Sequence, residues 1–203
     1  DAIIAAKRPV IWAGAGVLFA RATDALQELA ELIATPVFCT MPGKSAIDER
    51  HPLALGAGSG TTTYPAHEWL TESDVLVALG SSLTRTPYGQ KVKPGKAIIH
   101  NTNNADELNK DEAVDVGLVG DTRLTIEALI ACIKAKTGGR GVGDRAKVES
   151  AVAAAKAKWM TEWTPVLTAD EEPINYYRVI QALNDTLDHD NSIVTHDAGA
   201  PRD

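Results

Sequence analysis

The sequence predicts an α/β protein with a doubly wound, mostly parallel sheet of about six strands, covered by helices on both faces in three layers. Two observations predict this fold class. Short apolar runs recur along the chain and are continuous rather than alternating, which is typical of strands buried on both faces. Segments with apolar residues at helical spacing separate these runs. Such alternation favours parallel strands joined by right-handed crossovers.

The predicted elements follow one another in a regular order. The first strand, residues 9–13, stops at Gly14-Ala15-Gly16, and apolar residues then recur at helical spacing as far as Ile33. A glycine- and proline-bearing loop is expected to run to about Gly60. The other predicted strands are residues 36–39, 75–79, 97–100 and 116–119, with helices at about 65–73 and 126–133. This order is typical of a Rossmann-like domain.

The composition divides the chain into three predicted segments. Residues 1–137 form the Rossmann-like domain, and residues 138–172 form a linker with a connecting helix, after which Pro165 and Pro173 bracket a break. Residues 173–203 form the truncated start of a second domain, with one helix and a strand at 192–195. One helix and one strand cannot bury a core, and the chain lacks a starting methionine. We therefore expect a piece of a longer protein.

The charge and cysteine content exclude several classes of protein. Hydrophobic residues make up 44% of the 203 residues and charged residues 23%, which is an ordinary globular mixture. The net charge of −7 and the absence of a lysine or arginine cluster argue against nucleic-acid binding. No apolar run reaches the roughly 18–20 residues that span a membrane. Cys39 and Cys132 are isolated, so we expect two buried, reduced thiols in a cytoplasmic protein.

Gly14-Ala15-Gly16 fits the start of a dinucleotide-binding loop, in which glycines permit a tight turn and a helix N-terminus faces phosphate. The third glycine of that fingerprint would fall at Phe19, and the acidic residue that holds a ribose would fall at Thr40. A plain tight turn is therefore favoured, with a nucleotide-like ligand as the alternative.

Gly43-Lys44-Ser45 imitates the end of a P-loop, but that motif needs a glycine where the chain has Phe38. A structural or ligand-lining loop is favoured instead, because open α/β sheets bind ligands at the carboxyl ends of their strands. The residues predicted to line a nucleotide groove are Gly14, Ala15, Gly16, Thr40, Met41, Gly80 and Ser81. The histidines show no metal-ligand spacing, and His100 is expected to be a hydrogen-bonded core residue. No catalytic residue and no metal ligand is assigned.

Six stretches stand in a characteristic order. They are Lys7 to Gly16, Thr35 to Thr40, Gly43 to Ile47 with His51-Pro52-Leu53, Glu72 to Leu83, Ala97 to His100, and Leu118 to Asp121. Together they resemble the central domain of thiamin-diphosphate-dependent enzymes of the acetolactate synthase type. The resemblance covers residues 3–136. No single motif is specific, but the ordered set is.

The last residues extend the resemblance. Ile193 to Gly199 is similar to the first strand and loop of the family's diphosphate-binding domain, whose backbone approaches the cofactor. The resemblance implies that Ala198, Gly199 and Ala200 bind thiamin diphosphate in a longer parent protein. Ala200 and Pro201 stand where acetolactate synthases often have polar side chains. That departure argues against ordinary acetolactate synthesis.

The resemblance also indicates where cofactors bind. The family's cofactor-activating glutamate and its Mg²⁺-binding motif belong to domains before and after this stretch, so thiamin diphosphate and Mg²⁺ are expected in the parent and not in this chain. Some family members bind FAD or an ADP-bearing coenzyme in the central domain, through carboxylates after the fourth strand. Here that stretch is His100-Asn101-Thr102-Asn103-Asn104. Its neutral side chains argue against ordinary FAD binding, and a neutral hydrogen-bonding site for FAD or an ADP-type nucleotide remains open.

Three functions remain under consideration. The first is a structural central domain, inactive alone, of a homo-oligomeric transferase or lyase that acts on 2-keto acids by carbon–carbon ligation or decarboxylation. The second is a stand-alone Rossmann-type nucleotide-binding or sensor module. The third is a pure interaction domain, which would expose an apolar surface and bind no ligand. The partial second domain favours the first function.

Overall fold

The computed structural model describes residues 1–58, 60–87, 89 and 91–195. Its six strands are β1 (Pro9–Ala13), β2 (Val37–Cys39), β3 (Ala54–Ala57), β4 (Val75–Leu79), β5 (Ala97–Thr102) and β6 (Val116–Val119). Its helices are α1 (Ala2–Ala5), α2 (Ala15–Phe19), α3 (Thr23–Leu32), α4 (Tyr64–Glu72), α5 (Thr122–Thr137), α6 (Arg145–Leu167) and α7 (Tyr176–Thr186), with a 3₁₀ turn at Ala105–Glu107.

The strands form one parallel sheet in the order β3-β2-β1-β4-β5-β6. The chain starts in the middle of the sheet, adds strands to one side, and then crosses to the other side at β4. This order is the doubly wound arrangement with its switch point between β1 and β4. The predicted fold class is therefore confirmed.

Helices cover both faces of the sheet. Successive side chains of each strand point to opposite faces, so each strand contributes to a core on either side. Ile11 of β1 lies in a core that also contains residues of α3 and α5. Its neighbour Trp12 lies in a second core with Trp69 of α4 and Val152 of α6. The continuous apolar runs in the sequence therefore correspond to strands buried on both faces, in three layers.

One strand was not predicted, because β3 lies within the loop expected to run to Gly60. Its sequence, Ala-Leu-Gly-Ala, has small residues with little strand preference, and Gly56 has a φ of 89°. Tertiary contacts hold it in the sheet. Val37 of β2 pairs with Ala54, and the Thr63 hydroxyl donates a hydrogen bond to the Leu55 carbonyl at 2.6 Å. The strand depends on these partners, which are distant in sequence, so the residues of the segment alone do not predict it.

The chain divides into two compact units, residues 1–156 and residues 157–203. The boundary falls within α6. The first unit contains the whole sheet. In the second, the Trp163 and Tyr177 rings meet edge to face with centroids 4.9 Å apart. The predicted helix of the last segment is present as α7, capped by the Asn175 side chain, which accepts a hydrogen bond from the Arg178 N–H at 2.8 Å.

The second unit differs from its prediction in one respect. The break expected between Pro165 and Pro173 is present, although α6 includes Pro165 and stops at Leu167. The strand expected at residues 192–195 does not form. Ile193 is 94% exposed there, and no neighbouring strand among the described residues pairs with this segment. An apolar run becomes a strand only where a partner satisfies its backbone groups.

The two thiols differ in environment. Cys39 is buried at the end of β2, and burial raises the pKa of its thiol to about 11. Cys132 is exposed on α5, so the prediction that both cysteines are buried is wrong for Cys132. It stands on the outer side of the helix whose inner side is marked by Ile126 and Ile130. Within the described residues, no helix combines the length and apolarity needed to cross a bilayer.

Thiol titration checks this assignment. We expect Ellman's reagent to modify one thiol rapidly in the folded chain and the second only after denaturation, because thiolate character and access control the reaction. Cys132→Ser should abolish the rapid phase, whereas Cys39→Ser should leave it unchanged. Two rapidly reacting thiols in the folded chain would contradict the burial of Cys39.

Candidate functional site

A cleft of about 640 Å³ lies at the carboxyl ends of the strands, where the sheet changes direction between β1 and β4. Loops that follow β1, β2, β4, β5 and β6 all contribute to its lining. This is the position at which open α/β sheets bind ligands. Of the residues predicted to line a groove, the cleft brings together Gly14, Ala15, Gly16, Thr40, Gly80 and Ser81. Met41 is 38% exposed and is not part of the lining.

The glycines of the first loop permit a close backbone contact with the loop after β4. The Gly14 N–H donates to the Leu79 carbonyl at 2.9 Å, and the Gly16 N–H donates to the Gly80 carbonyl at 2.8 Å. A Cβ added at Gly14 would lie 2.2 Å from the Gly80 carbonyl oxygen. Both amides are therefore bonded within the protein, which favours the tight-turn interpretation. Ligand binding by this loop stays a prediction.

The loop after β2 packs against the end of β1. The Thr40 N–H donates to the Ala13 carbonyl at 2.9 Å, and the Thr40 hydroxyl accepts from the Gly43 N–H at 3.0 Å. A Cβ at Gly43 would lie 2.6 Å from the Ala13 carbonyl oxygen. Lys44 pairs with Glu49 on the surface. The residues that resemble a P-loop therefore have structural roles. Gly43 allows close contact with the end of β1, and Lys44 forms an ion pair with Glu49.

Two buried side chains of β5 hold the loop after β4 in place. His100 is fully buried, and its Nε2 donates to the Ser81 carbonyl at 2.6 Å, which confirms the expected core histidine. Asn101 is also fully buried. Its Oδ1 accepts from the Gly80 N–H at 3.2 Å, and its Nδ2 donates to the Leu118 carbonyl at 3.1 Å. Asn101 therefore links the ends of β4 and β6, and its hydrogen bonds serve the protein.

Sequence reasoning missed three carboxylates in the lining, Glu107, Glu112 and Asp121. Glu107 lies on the 3₁₀ turn after β5 and accepts a hydrogen bond from the Thr102 hydroxyl. Asp121 caps α5, where its Oδ1 accepts from the Leu124 N–H at 3.0 Å. A helix-capping search would have found Asp121. No sequence signal indicates Glu107, because its position depends on the path of the turn.

An ion pair stands at the edge of the same cleft. Arg85 donates two hydrogen bonds to Glu112 from one edge of its guanidinium, Nε to Oε1 at 2.8 Å and Nη2 to Oε2 at 3.1 Å. This bidentate contact raises the pKa of Arg85. The backbone N–H of Arg85 donates to Asp111 at 3.0 Å. The pair ties the loop after β4 to the segment that precedes β6.

The lining suits hydrogen bonding rather than metal chemistry. Hydroxyl and carboxylate groups from the β4, β5 and β6 loops can donate to and accept from a polar ligand. In residues 1–58, 60–87, 89 and 91–195, no group of three or more His, Cys, Asp or Glu residues could hold a metal ion. Ala198, Gly199 and Ala200, which the resemblance implies for thiamin diphosphate, lie outside the described residues.

A pair of glycine substitutions tests the loop contact. We expect Gly14→Ala to lower the free energy of unfolding by about 1–3 kcal/mol or more, because its Cβ would overlap the backbone of Gly80. Gly60→Ala is the matched control, since nothing lies within 4 Å of its added Cβ. It should change stability by less than about 0.5 kcal/mol. Urea unfolding measures both, and equal effects would argue against the close contact.

Comparison with known proteins identifies the family. A family model described as the central domain of thiamine pyrophosphate enzymes matches residues 1–129, which contain the whole sheet. A probable acetolactate synthase large subunit from Methanococcus aeolicus is 32% identical, over 97% of this chain and 34% of its own length. An acetolactate synthase from Mycobacterium bovis is 35% identical, over 65% of this chain and 22% of its own length. A sulfoacetaldehyde acetyltransferase from Roseovarius nubinhibens is 31% identical, over 83% of this chain and 28% of its own length.

The chain thus spans about a third, or less, of the length of these curated relatives. The sheet, its switch point and the cleft all lie within the matched part of the chain. The resemblance found in the sequence is confirmed, and this chain belongs to the thiamine pyrophosphate enzyme family, as its central domain.

Proposed function

We propose that the chain is the central part of a longer thiamin-diphosphate-dependent enzyme that acts on 2-keto acids, by carbon–carbon ligation or by decarboxylation. The observation that carries the proposal is the family match across residues 1–129, which include every strand of the sheet. Relatives named acetolactate synthase align with 65–97% of the chain and support the 2-keto-acid substrate class. The parent is accordingly a transferase or a lyase.

The role proposed for the chain itself is structural, and we expect it to be inactive alone. Thiamin diphosphate supplies the electron sink on which keto-acid decarboxylation depends. We assign the binding of thiamin diphosphate and Mg²⁺ to the longer parent, with Ala198, Gly199 and Ala200 as backbone contacts to the diphosphate. The described residues supply no cluster for Mg²⁺, so no catalytic step is derived for them. What they supply is a rigid sheet with a cleft.

Two further properties of the parent are proposed from the family resemblance. We propose that it is a homo-oligomer, and that it works in the cytoplasm. The second proposal is supported by the two free cysteines, since proteins of reducing compartments rarely carry disulfides.

Our second proposal is that the cleft binds a nucleotide-type ligand. The same ligand would be expected if the chain were instead a stand-alone nucleotide-binding or sensor module. The volume of about 640 Å³ suits a small-molecule site. The lining offers acceptors for sugar hydroxyls, among them Glu107 and Asp121. By the family resemblance, Thr102 and Asn104 stand where nucleotide-binding members have the carboxylates that hold ribose hydroxyls, so ordinary FAD binding is disfavoured and a neutral hydrogen-bonding site remains. Asn101 is in addition bonded within the protein.

Activity assays test the first proposal. We expect the full-length parent to release CO₂ from pyruvate or another short 2-keto acid only when thiamin diphosphate and Mg²⁺ are both present. The 203-residue chain should release none under the same conditions, because the family resemblance assigns the cofactor-activating groups to other domains of the parent. Circular dichroism of the isolated chain provides the folding control.

Two results would overturn the proposal. Turnover by the chain alone would show that it is not merely a scaffold. A full-length parent with no cofactor-dependent activity on any short 2-keto acid would remove the substrate class.

A further inference from the structure

The two outer strands of the sheet differ in how far the chain covers them. The chain covers β3, because the Thr63 N–H donates to the Ala57 carbonyl at 2.9 Å and the Thr63 hydroxyl donates to the Leu55 carbonyl at 2.6 Å. On β6, by contrast, Val116 is 41% exposed and Val119 is 54% exposed. Within the described residues, β5 is the only strand that pairs with β6. The outer side of β6 is therefore an open strand edge.

β6 has none of the features that usually keep an edge strand unpaired. Native sheets protect their edges with lysine, proline or a bulge. The sequence of β6 is Val-Gly-Leu-Val, with no charged residue and no proline, and its register with β5 is continuous. An edge strand presents a row of backbone N–H and C=O groups to its open side. An uncharged edge with exposed valines is therefore a surface to which a further strand can be added.

The amino end of β6 lies beside a group of positive charges. A cavity of about 570 Å³ is lined there by Lys93, Lys96 and Arg85, together with the carboxylates of Glu112 and Asp115. Both carboxylates are bonded within the chain, one to a guanidinium and the other to a backbone N–H. Lys93 is exposed. The lining therefore has an excess of positive charge.

The carboxyl end of β6 has the opposite charge. Asp121 is exposed directly after the strand, and Glu107 lines the same cleft. Arg123, the first basic residue of α5, is already paired with Glu127 at 2.8 Å. If two β6 strands pair antiparallel, the amino end of each meets the carboxyl end of the other, and charges of opposite sign come together at both ends. This complementarity favours a second copy of the chain as the partner.

We infer that β6 is an interface at which a second copy of this chain adds its own β6 antiparallel, about a two-fold axis at Gly117, so that the two sheets become continuous. Such an axis brings the same surface of both copies into contact. The inference rests on the homo-oligomer proposed for the parent and names the surface that this assembly uses. It does not depend on the keto-acid chemistry.

Side-chain direction and charge determine the register. Residues that stand directly opposite in an antiparallel pair point to the same face, so the two-fold axis must pass through a residue of the strand. With the axis at Gly117, Asp115 stands opposite Val119 of the second copy. With the axis at Leu118, Asp115 would stand opposite Asp121, and like charges directly opposite destabilise a sheet. The register centred on Gly117 is therefore favoured.

Sedimentation equilibrium of the purified chain tests the inference. We expect a reversible monomer–dimer equilibrium that Val116→Lys weakens about tenfold or more, because the two-fold axis places the added charge in the contact twice. Ile180→Lys is the matched control: Ile180 is 43% exposed on α7, and its substitution should leave the equilibrium unchanged. Circular dichroism and urea unfolding check that both variants remain folded.

Charge substitutions at Val119 test the register separately from the apolar contact. Val119→Asp should weaken the dimer roughly threefold to tenfold, because it places a carboxylate opposite Asp115 of the second copy, and does so twice. Val119→Lys should leave the dimer as stable as the wild type or more stable, because the ammonium group faces that carboxylate.

Three results would overturn the inference. A chain that is monomeric at every concentration tested would remove the second copy as the partner of β6. It would leave the keto-acid proposal standing, since the cofactor-dependent activity of the parent tests that proposal. A dimer lost in Ile180→Lys and kept in Val116→Lys would place the contact on α7. Equal weakening by Val119→Asp and Val119→Lys would rule out the antiparallel pairing centred on Gly117.

Discussion

The backbone contact between the loop after β1 and the loop after β4 is the constraint on which the rest of the structure depends. Gly14 and Gly16 donate to the carbonyls of Leu79 and Gly80, and the two loops approach too closely for a side chain at either glycine. This contact joins the two halves of the sheet at the switch point. It satisfies backbone groups at the carboxyl ends of both central strands, which would otherwise be exposed at the base of the cleft.

The same contact explains why the glycine pattern does not behave as a phosphate-binding fingerprint. In that fingerprint the loop amides face a ligand. Here the amides of Gly14 and Gly16 face neighbouring backbone, and Phe19 occupies the position of the third glycine. From the β5 side, His100 and Asn101 bond to the loop after β4 and hold it against the glycines. The cleft is therefore shaped by internal hydrogen bonds, and its ligand contacts must come from side chains on its walls.

Periodicity predicted the fold because the strands that carry most of the core are also strong local signals. Val75 to Leu79 is a continuous apolar run and lies buried across its length. The sequence-based predictions failed where contacts with distant parts of the chain determine whether a segment forms a strand. Ala54 to Ala57 became a strand because β2 and Thr63 satisfy it, although its residues have little preference for strands. Residues 192–195 have the apolar pattern of a strand, but no described strand pairs with them.

The candidate site, like the fold, could be predicted only in part, because the strand signals locate strand ends and not the paths of the loops. Residues that end strands, such as Gly14, Thr40 and Gly80, could be placed at the cleft, because parallel strands bring their carboxyl ends to one edge. Glu107 and Arg85 could not, since their positions depend on the paths of loops and on hydrogen bonds between them. The family resemblance located the domain within a larger enzyme, which periodicity alone does not do.

The most direct test of the central claim is amide hydrogen exchange at Gly14 and Gly16, measured by NMR with and without ADP. If these amides are bonded to the carbonyls of Leu79 and Gly80, they exchange with solvent only when the sheet opens. Their exchange is then slow already in the free chain, before ADP is added. Fast exchange in the free chain, with protection gained only on adding ADP, would contradict the account. It would show that the first loop binds phosphate and that the contact with the β4 loop does not hold the switch point together.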